Sequence, residues 1–163
     1  MNKVIIIGCP GSGKSYFSKK LSKITNIPLY HLDNIYHNSD GSQIPKDEFD
    51  NILRSIFKTD KWIMDGNYQR TIPMRIKECD TVFLLDYPLE ICLKGANDRI
   101  GTTRDDIPWV ETELDKAFEQ KILEFRDTKL PHIYEILNEN KDKDIIIFKT
   151  REEADNYIKN LKV

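Results

Sequence analysis

The chain carries the spacing G-x-x-x-x-G-K-[ST] at residues 8–15, a pattern typical of loops that bind the phosphates of a nucleotide. Glycines at such positions let the backbone turn its N–H groups toward the ligand, because no Cβ stands in the way. Lys14 is predicted to bridge the β and γ phosphates, and the Ser15 hydroxyl to coordinate Mg²⁺. The residues predicted to bind the nucleotide are Gly8, Pro10, Gly11, Ser12, Gly13, Lys14, Ser15 and Tyr16. The motif therefore predicts phosphate chemistry that uses ATP and Mg²⁺.

Three predicted strands each end in an aspartate, at Asp33, Asp65 and Asp86. In open parallel sheets, ligands gather outside the carboxyl ends of the strands, where a carboxylate is useful. We rank Asp65 first as the carboxylate that joins Ser15 in holding the metal. Asp33 ranks first as the group that accepts the proton of the phosphoryl acceptor. Asp86 precedes a Tyr-Pro pair and is interpreted as part of a structural turn.

Four arginines are candidates for binding phosphate or an acidic acceptor. Arg99 and Arg104 bracket the core of a polar stretch, residues 99–108, that is predicted to be a mobile flap between helices. A guanidinium carried over the phosphates by this flap would neutralise charge in the transition state. The alternative is a solvated pair on a charged surface. Arg70 and Arg75 follow the third strand and either grip an acidic acceptor or belong to an exposed helix face.

The segments that position these residues alternate between apolar strands and amphipathic helices. The predicted strands are residues 3–7, 27–33, 62–64, 81–86 and 144–148. The predicted helices include a long one with apolar positions from Val110 to Phe125 and another that Pro131 starts. Thr150 and Glu153 form a capping-box pattern at the start of the last helix. This alternation predicts an α/β fold, with a five-stranded parallel sheet covered by helices on both faces through right-handed crossovers.

Length and charge set the broad class of the protein. At 163 residues the chain is long enough for one domain with a sizeable core, and we expect a single domain over residues 1–163. A formal charge of −2 argues against a nucleic-acid-binding or membrane-binding surface. Three widely spaced cysteines without a C-x-x-C pair favour a reducing cytoplasm, and neither a membrane-spanning run nor a secretory leader is evident. We therefore expect a cytoplasmic monomer or homodimer whose partners are small molecules.

Four segments together resemble the P-loop kinases of the nucleoside monophosphate kinase type, and within them the small topology modulation and adenylate kinase-related proteins. These segments are residues 8–15, 32–33, 62–68 and 99–106. The resemblance implies a three-layer P-loop NTPase fold with the first strand central, an acceptor-binding insert at about residues 34–60 and a short lid at about 99–108. It also places recognition of the nucleotide base near residues 149–151 and the lid. The expected catalytic residues are Lys14, Arg99, Arg104 and Asp33.

Two departures from adenylate kinases bear on the identity of the acceptor. Residues 67–69 read Asn-Tyr-Gln where adenylate kinases have a Phe-Pro pair, and the predicted lid lacks zinc-binding cysteines. Both departures argue against AMP as the acceptor. The sequence thus predicts an ATP- and Mg²⁺-dependent phosphotransferase with a small acceptor, for which a nucleotide or nucleoside is the first choice.

Three other functions stay open from the residues alone. A small-metabolite kinase of the shikimate or gluconate type shares the loop and an acceptor-side aspartate after the second strand. A regulatory switch of the GTPase class is disfavoured, because Tyr68 stands where a D-x-x-G pattern needs glycine and residues 140–143 miss the aspartate of N-K-x-D. An ATP-binding, DNA-associated protein is opposed by the near-neutral charge and by the absence of a basic stripe in the sequence.

Overall fold

The computed structural model describes residues 1–161 of the chain, whose centre is a β-sheet. Its strands are β1 (Lys3–Gly8), β2 (Leu29–His31), β3 (Trp62–Asp65), β4 (Thr81–Leu85) and β5 (Asp144–Phe148). They lie in the order β2-β3-β1-β4-β5, and every neighbouring pair is parallel. The predicted five-stranded parallel sheet is confirmed, and β1 is its central strand.

The helices cover both faces of this sheet. They are α1 (Lys14–Thr25), α2 (Leu32–Tyr36), α3 (Lys46–Phe57), α4 (Ile72–Glu78), α5 (Leu89–Asp98), α6 (Lys116–Glu124), α7 (Leu130–Glu139) and α8 (Arg151–Asn160). From β1 to β2 the chain crosses the sheet in one direction, and each later crossover, from β2 to β3, β3 to β4 and β4 to β5, runs in the opposite direction. Because these crossovers are right-handed, α1 lies on one face of the sheet and α3, α4 and α5–α7 lie on the other. Helix α8 packs beside α1. Among residues 1–161, no helix has the length and apolar character needed to cross a bilayer.

The core lies between the sheet and these helices. Strands β1 and β4 are buried along almost their whole length, which explains why their sequences are continuous apolar runs rather than alternating ones. Phe17 of α1 packs against Phe83 and Phe148, with ring centroids 5.0 and 5.5 Å apart. This contact seats α1 on the sheet and thereby positions the residues 8–15 loop that precedes it.

Two predicted elements differ from the structure, and both differences concern the site. The predicted strand over residues 27–33 is shorter, because the chain enters α2 at the fully buried Leu32, and Asp33 therefore lies in a helical turn. The helix predicted from Val110 begins only at Lys116, since the Asp115 side chain caps it by accepting a hydrogen bond from the Ala117 N–H at 3.1 Å. The connection between α5 and α6 therefore spans residues 99–115, longer than the predicted flap, and is called the α5–α6 loop below.

The last helix begins as predicted. The Glu153 N–H donates to the Thr150 hydroxyl at 3.1 Å, and the Glu153 carboxylate accepts from the Lys149 N–H at 2.7 Å. The capping interaction is confirmed, with the returning hydrogen bond placed one residue earlier than in the ideal motif.

Candidate active site

The residues 8–15 loop joins β1 to α1 and is closely covered by α5. Gly11 and Gly13 have φ values of +82° and +91°, which favour glycine. A Cβ on Gly11 would lie 2.0 Å from the carbonyl oxygen of Cys92, and a Cβ on Gly95 would lie 2.1 Å from the Gly11 carbonyl oxygen. Glycine is therefore required on both sides of this contact, because any side chain would push α5 away from the loop.

Lys14 lies inside the curve of the loop. Its ammonium donates to the carbonyl oxygens of Gly8 and Cys9, each at 3.1 Å. Burial lowers the pKa of Lys14, and the negative charges of Asp65 and Asp33 act in the opposite direction. Each of these two aspartates, both predicted to serve the same site, therefore lies close enough to Lys14 to favour its charged form.

The loop offers groups that fit a phosphate. The Ser12 hydroxyl is buried and makes no hydrogen bond within the described part of the protein. Buried polar groups rarely stay unpaired, so an orphaned hydroxyl in the same loop as the Lys14 ammonium fits an anionic ligand. No group of three or more His, Cys, Asp or Glu side chains in residues 1–161 is arranged to hold a metal on its own. A metal ion bound at Ser15 would therefore need further ligands from the phosphates of a bound nucleotide or from water.

Asp65, the first-ranked metal carboxylate, is buried at the end of β3. One of its oxygens accepts from the Ser18 hydroxyl at 2.8 Å, and the other lies 2.8 Å from Nδ1 of His31. Both oxygens are thus occupied by side chains of α1 and β2. Asp65 ties the start of α1 to the sheet edge and, in this arrangement, would reach a metal through water rather than directly.

Asp33, the predicted acceptor-side residue, is held by Tyr68. The Tyr68 hydroxyl donates to the Asp33 carboxylate at 2.6 Å. Burial and the neighbouring charge of Asp33 raise the pKa of Tyr68, so the phenol keeps its proton and remains the donor. Tyr68 has a φ of +32°, a left-handed conformation that a non-glycine residue adopts only when its surroundings hold it there.

Arg75 supplies that support and is not free to bind an acceptor. Its side chain is fully buried and donates to the carbonyl oxygens of Gly66 at 3.0 Å, Asn67 at 2.5 Å and Tyr68 at 3.4 Å. Burial lowers the pKa of Arg75 to about 10. Arg70, the other arginine after β3, forms a bidentate pair with Asp50 of α3 at 2.7 and 2.9 Å.

We expect Arg75→Ala to lower the free energy of unfolding by about 3 kcal/mol or more, because the carbonyl oxygens of Gly66 and Asn67 lose their Arg75 donors and a large buried side chain is removed. Arg70→Ala is the matched control, since its half-exposed ion pair contributes about 1 kcal/mol or less. Chemical denaturation of both variants measures the difference. Equal losses would mean that the Arg75 hydrogen bonds do not stabilise the fold.

The α5–α6 loop brings Arg99 and Arg104 together beside the residues 8–15 loop. Arg104 forms a fork with Asp106, with Nε–Oδ1 at 3.0 Å and Nη2–Oδ2 at 2.5 Å, and its Nη1 lies 2.9 Å from Glu111. Arg99 also contacts Glu111, with Nε–Oε2 at 2.9 Å. Asp106 in turn accepts a hydrogen bond from the Ser15 hydroxyl at 2.5 Å.

The partners Asp106 and Glu111 were not assigned a role from the sequence. Asp106 stands two residues after Arg104, a spacing that offered a weak signal, whereas nothing in the pattern marked Glu111. Burial opposes ionisation of Asp106, but its hydrogen bonds from Arg104 and Ser15 prevail and lower its pKa to about 2. The carboxylate that touches Ser15 is therefore negatively charged at neutral pH.

No protein-family model matches the chain. Similar curated sequences include the adenylate kinases of Thermotoga petrophila and Thermotoga maritima, each 29% identical over 91 residues, which make up 54% of this chain. The aligned part is 40% of each relative, so the chain spans less than half the length of these proteins.

The solved structures that resemble the chain cover nearly all of it. A shikimate kinase from Acinetobacter baumannii, in complex with shikimate, aligns over 99% of this chain and 96% of its own, with a TM-score of 0.63 and 17% identity. The shikimate kinase of Aquifex aeolicus covers 96% and 90% at a TM-score of 0.52 and 17% identity. A gluconokinase from Sinorhizobium meliloti covers 97% and 87% at 0.55 and 12% identity. The chain has the fold of the P-loop kinases.

Within this P-loop kinase fold, a cavity of about 470 Å³ adjoins the residues 8–15 loop. Residues that line it include Ser12, Gly13, Tyr16, Arg99, Arg151 and Asp155. Arg151 falls in the segment expected near the nucleotide base. Lys149 does not line this cavity, because its ammonium pairs with Asp86 and donates to the Tyr134 hydroxyl at 2.8 Å. Asp86 is buried and also accepts from Tyr134 at 2.7 Å, so it joins β4, α7 and β5.

Proposed function

We propose that the protein is an ATP- and Mg²⁺-dependent phosphotransferase that transfers the γ-phosphate to a small acceptor, with a nucleotide or nucleoside as the first choice. The observation that carries the proposal is the convergence of the Lys14 ammonium, the orphaned Ser12 hydroxyl and the Asp33 carboxylate at one end of the sheet. Cradle, cation and proton acceptor are the parts that phosphoryl transfer needs.

The proposed donor site supplies the phosphate cradle and the cation. The loop N–H groups and Lys14 bind the phosphates, and Ser15 binds Mg²⁺, with Asp65 acting through water. Bound Mg²⁺ would neutralise the charge on the phosphate oxygens. Arg99 and Arg151 line the cavity that we propose for the nucleotide base.

On the acceptor side, Tyr68 holds Asp33, which accepts the proton of the attacking hydroxyl. Arg99 and Arg104 stabilise transition-state charge from the α5–α6 loop, which we propose as the lid. Residues 34–60 are proposed to bind the acceptor, in line with the resemblance. By the same resemblance, we propose the adenylate kinase-related, topology modulation type, acting in the cytoplasm as a monomer or homodimer without nucleic acid.

A small-metabolite kinase is the second candidate. The observation that favours it is the similarity of fold to a shikimate kinase in complex with shikimate over 96% of that chain and to a gluconokinase over 87%. The first experiment is therefore Mg²⁺-dependent ADP formation with purified protein across nucleoside monophosphates, nucleosides, shikimate and gluconate. Acceptor-dependent ADP formation supports the proposal and names the substrate class. The absence of stimulation by any of them would contradict it.

Asp33→Asn tests the acceptor side of the site separately. We expect acceptor-stimulated turnover to fall about 10²–10³-fold, the range for a lost general base, with the Kd for ATP changed less than about twofold. Steady-state kinetics and calorimetric ATP titration measure the two quantities. The control is Asp60→Asn, an exposed aspartate outside the site. A parallel loss of ATP affinity in Asp33→Asn would place Asp33 on the donor side instead.

A further inference from the structure

The contact between Ser15 and Asp106 uses a hydroxyl that the proposed function assigns to the metal. Asp106 Oδ2 lies 2.5 Å from Ser15 Oγ, across 91 residues of sequence, and the Asp106 side chain is only 5% exposed. A hydroxyl has one proton to donate, so Ser15 cannot donate to a phosphate oxygen while it donates to Asp106, although its lone pairs stay available to Mg²⁺. The contact therefore competes with a phosphate for the Ser15 proton.

Asp106 is not arranged as a metal ligand. Its Oδ1 accepts from Nε of Arg104, and its Oδ2 accepts from Nη2 of Arg104 and from Ser15. A carboxylate whose two oxygens both face a guanidinium is a poor place for a divalent cation, because the two positive charges would repel each other.

The same arrangement resembles the binding of a phosphate. The planar guanidinium fork matches carboxylate and phosphate groups equally well, through two parallel hydrogen bonds. Asp106 thus presents to Arg104 and Ser15 the kind of oxygens that a terminal phosphate would present. We infer that Asp106 is an internal stand-in for the terminal phosphate group, which holds the α5–α6 loop against α1 and must be displaced when nucleotide binds. The inference rests on the proposed function in one respect, that residues 8–15 bind nucleotide.

Two other polar or aromatic contacts of this loop are more exposed, whereas its buried Ile107 is apolar. Asp105 pairs with Lys19 at 2.9 Å, with the Asp105 side chain 81% exposed. Trp109 stacks edge-on against His37, with ring centroids 5.3 Å apart. Exposed ion pairs contribute little, so Asp106 supplies the buried polar anchor of the loop. Loss of that anchor is expected to loosen the packing of Trp109.

Trp109 makes this loosening measurable. The other tryptophan, Trp62, is fully buried in the core and packs against Phe57, with ring centroids 5.7 Å apart. Without added nucleotide, we expect acrylamide to quench the tryptophan fluorescence of Asp106→Asn more strongly than that of the wild type. The Trp109→Phe variant shows which part of the fluorescence comes from Trp109. Asp105→Asn is the matched control, since it removes the same charge from the neighbouring exposed position.

Nucleotide affinity gives the second readout. We expect Asp106→Asn to bind ATP about tenfold more tightly than the wild type, with and without Mg²⁺, because an anionic competitor has been neutralised; tenfold corresponds to about 1.4 kcal/mol. Asp105→Asn is expected to stay within about twofold. Asp106→Ala repeats the test without a side chain that can still hydrogen-bond. Thermal unfolding confirms that each variant is folded.

Three results would overturn the inference. Weaker ATP binding confined to the Mg²⁺ condition would make Asp106 a metal ligand. Quenching and affinity equal to those of Asp105→Asn would mean that the contact has no energetic role. ATP binding by neither wild type nor variant would refute displacement by nucleotide. Lys14→Ala separates failure of the inference from failure of the proposed function. If this substitution left ATP affinity unchanged, the nucleotide would bind outside residues 8–15 and the proposed function would fail. That conclusion would not depend on how strongly acrylamide quenches Asp106→Asn.

Discussion

Lys14→Ala is expected to lower acceptor-stimulated ATP turnover by about 10³-fold or more while the protein stays folded. Removal of a single preorganised donor to a developing charge costs about 10²–10³ in rate, and Lys14 is proposed to contact two phosphates with a full charge. The fold should survive, because within residues 1–161 the ammonium donates only to the carbonyl oxygens of Gly8 and Cys9, and its burial disfavours the charged form. The loop itself is shaped by its glycines and by α5.

The measurement for Lys14 is ADP formation together with thermal unfolding. Lys23→Ala is the control, since Lys23 is an exposed lysine of the same helix, about two and a half turns further on. Turnover that persists in Lys14→Ala would remove the donor site from residues 8–15. A lower unfolding temperature together with lost turnover would instead indicate a structural role for Lys14.

Arg104→Ala is expected to lower kcat by about 10³-fold, the lower end of the range for an arginine that stabilises phosphoryl transfer. The Kd for ATP should change much less, because the guanidinium is proposed to act on charge that develops in the transition state. In the structure, Arg104 is saturated by Asp106 and Glu111, so it becomes available to phosphate only after these carboxylates release it.

Single-turnover kinetics and ATP titration separate the two effects of Arg104. Arg126→Ala, an exposed arginine outside the α5–α6 loop, serves as the control. Arg104→Lys adds a second comparison, because lysine keeps the charge but loses the fork. Equal losses in kcat/KM and in ATP affinity would show that Arg104 makes a ground-state contact instead.

Local pattern was sufficient for most of the fold. The apolar runs of β1 and β4, the loop motif before α1 and the Thr150 cap of α8 are short-range features, in which each residue's neighbours along the chain decide its conformation. The alternation of strands and helices then left a parallel sheet as the natural arrangement. The errors fell at Asp33 and at Val110, where a helix began earlier or later than apolar spacing indicated.

The partners of the site residues were decided by tertiary structure. The sequence by itself determined the class of fold, the phosphate-binding motif and the residue types at the strand ends. It did not determine that Arg75 would be buried under residues 66–68, or that Asp106 would reach Ser15. Such contacts depend on how loops meet in space, and a charged side chain has the same local preferences whether it ends in water or against a distant partner. Only the folded chain brings residues 91 positions apart within 2.5 Å, and only there does burial decide which charges must be paired.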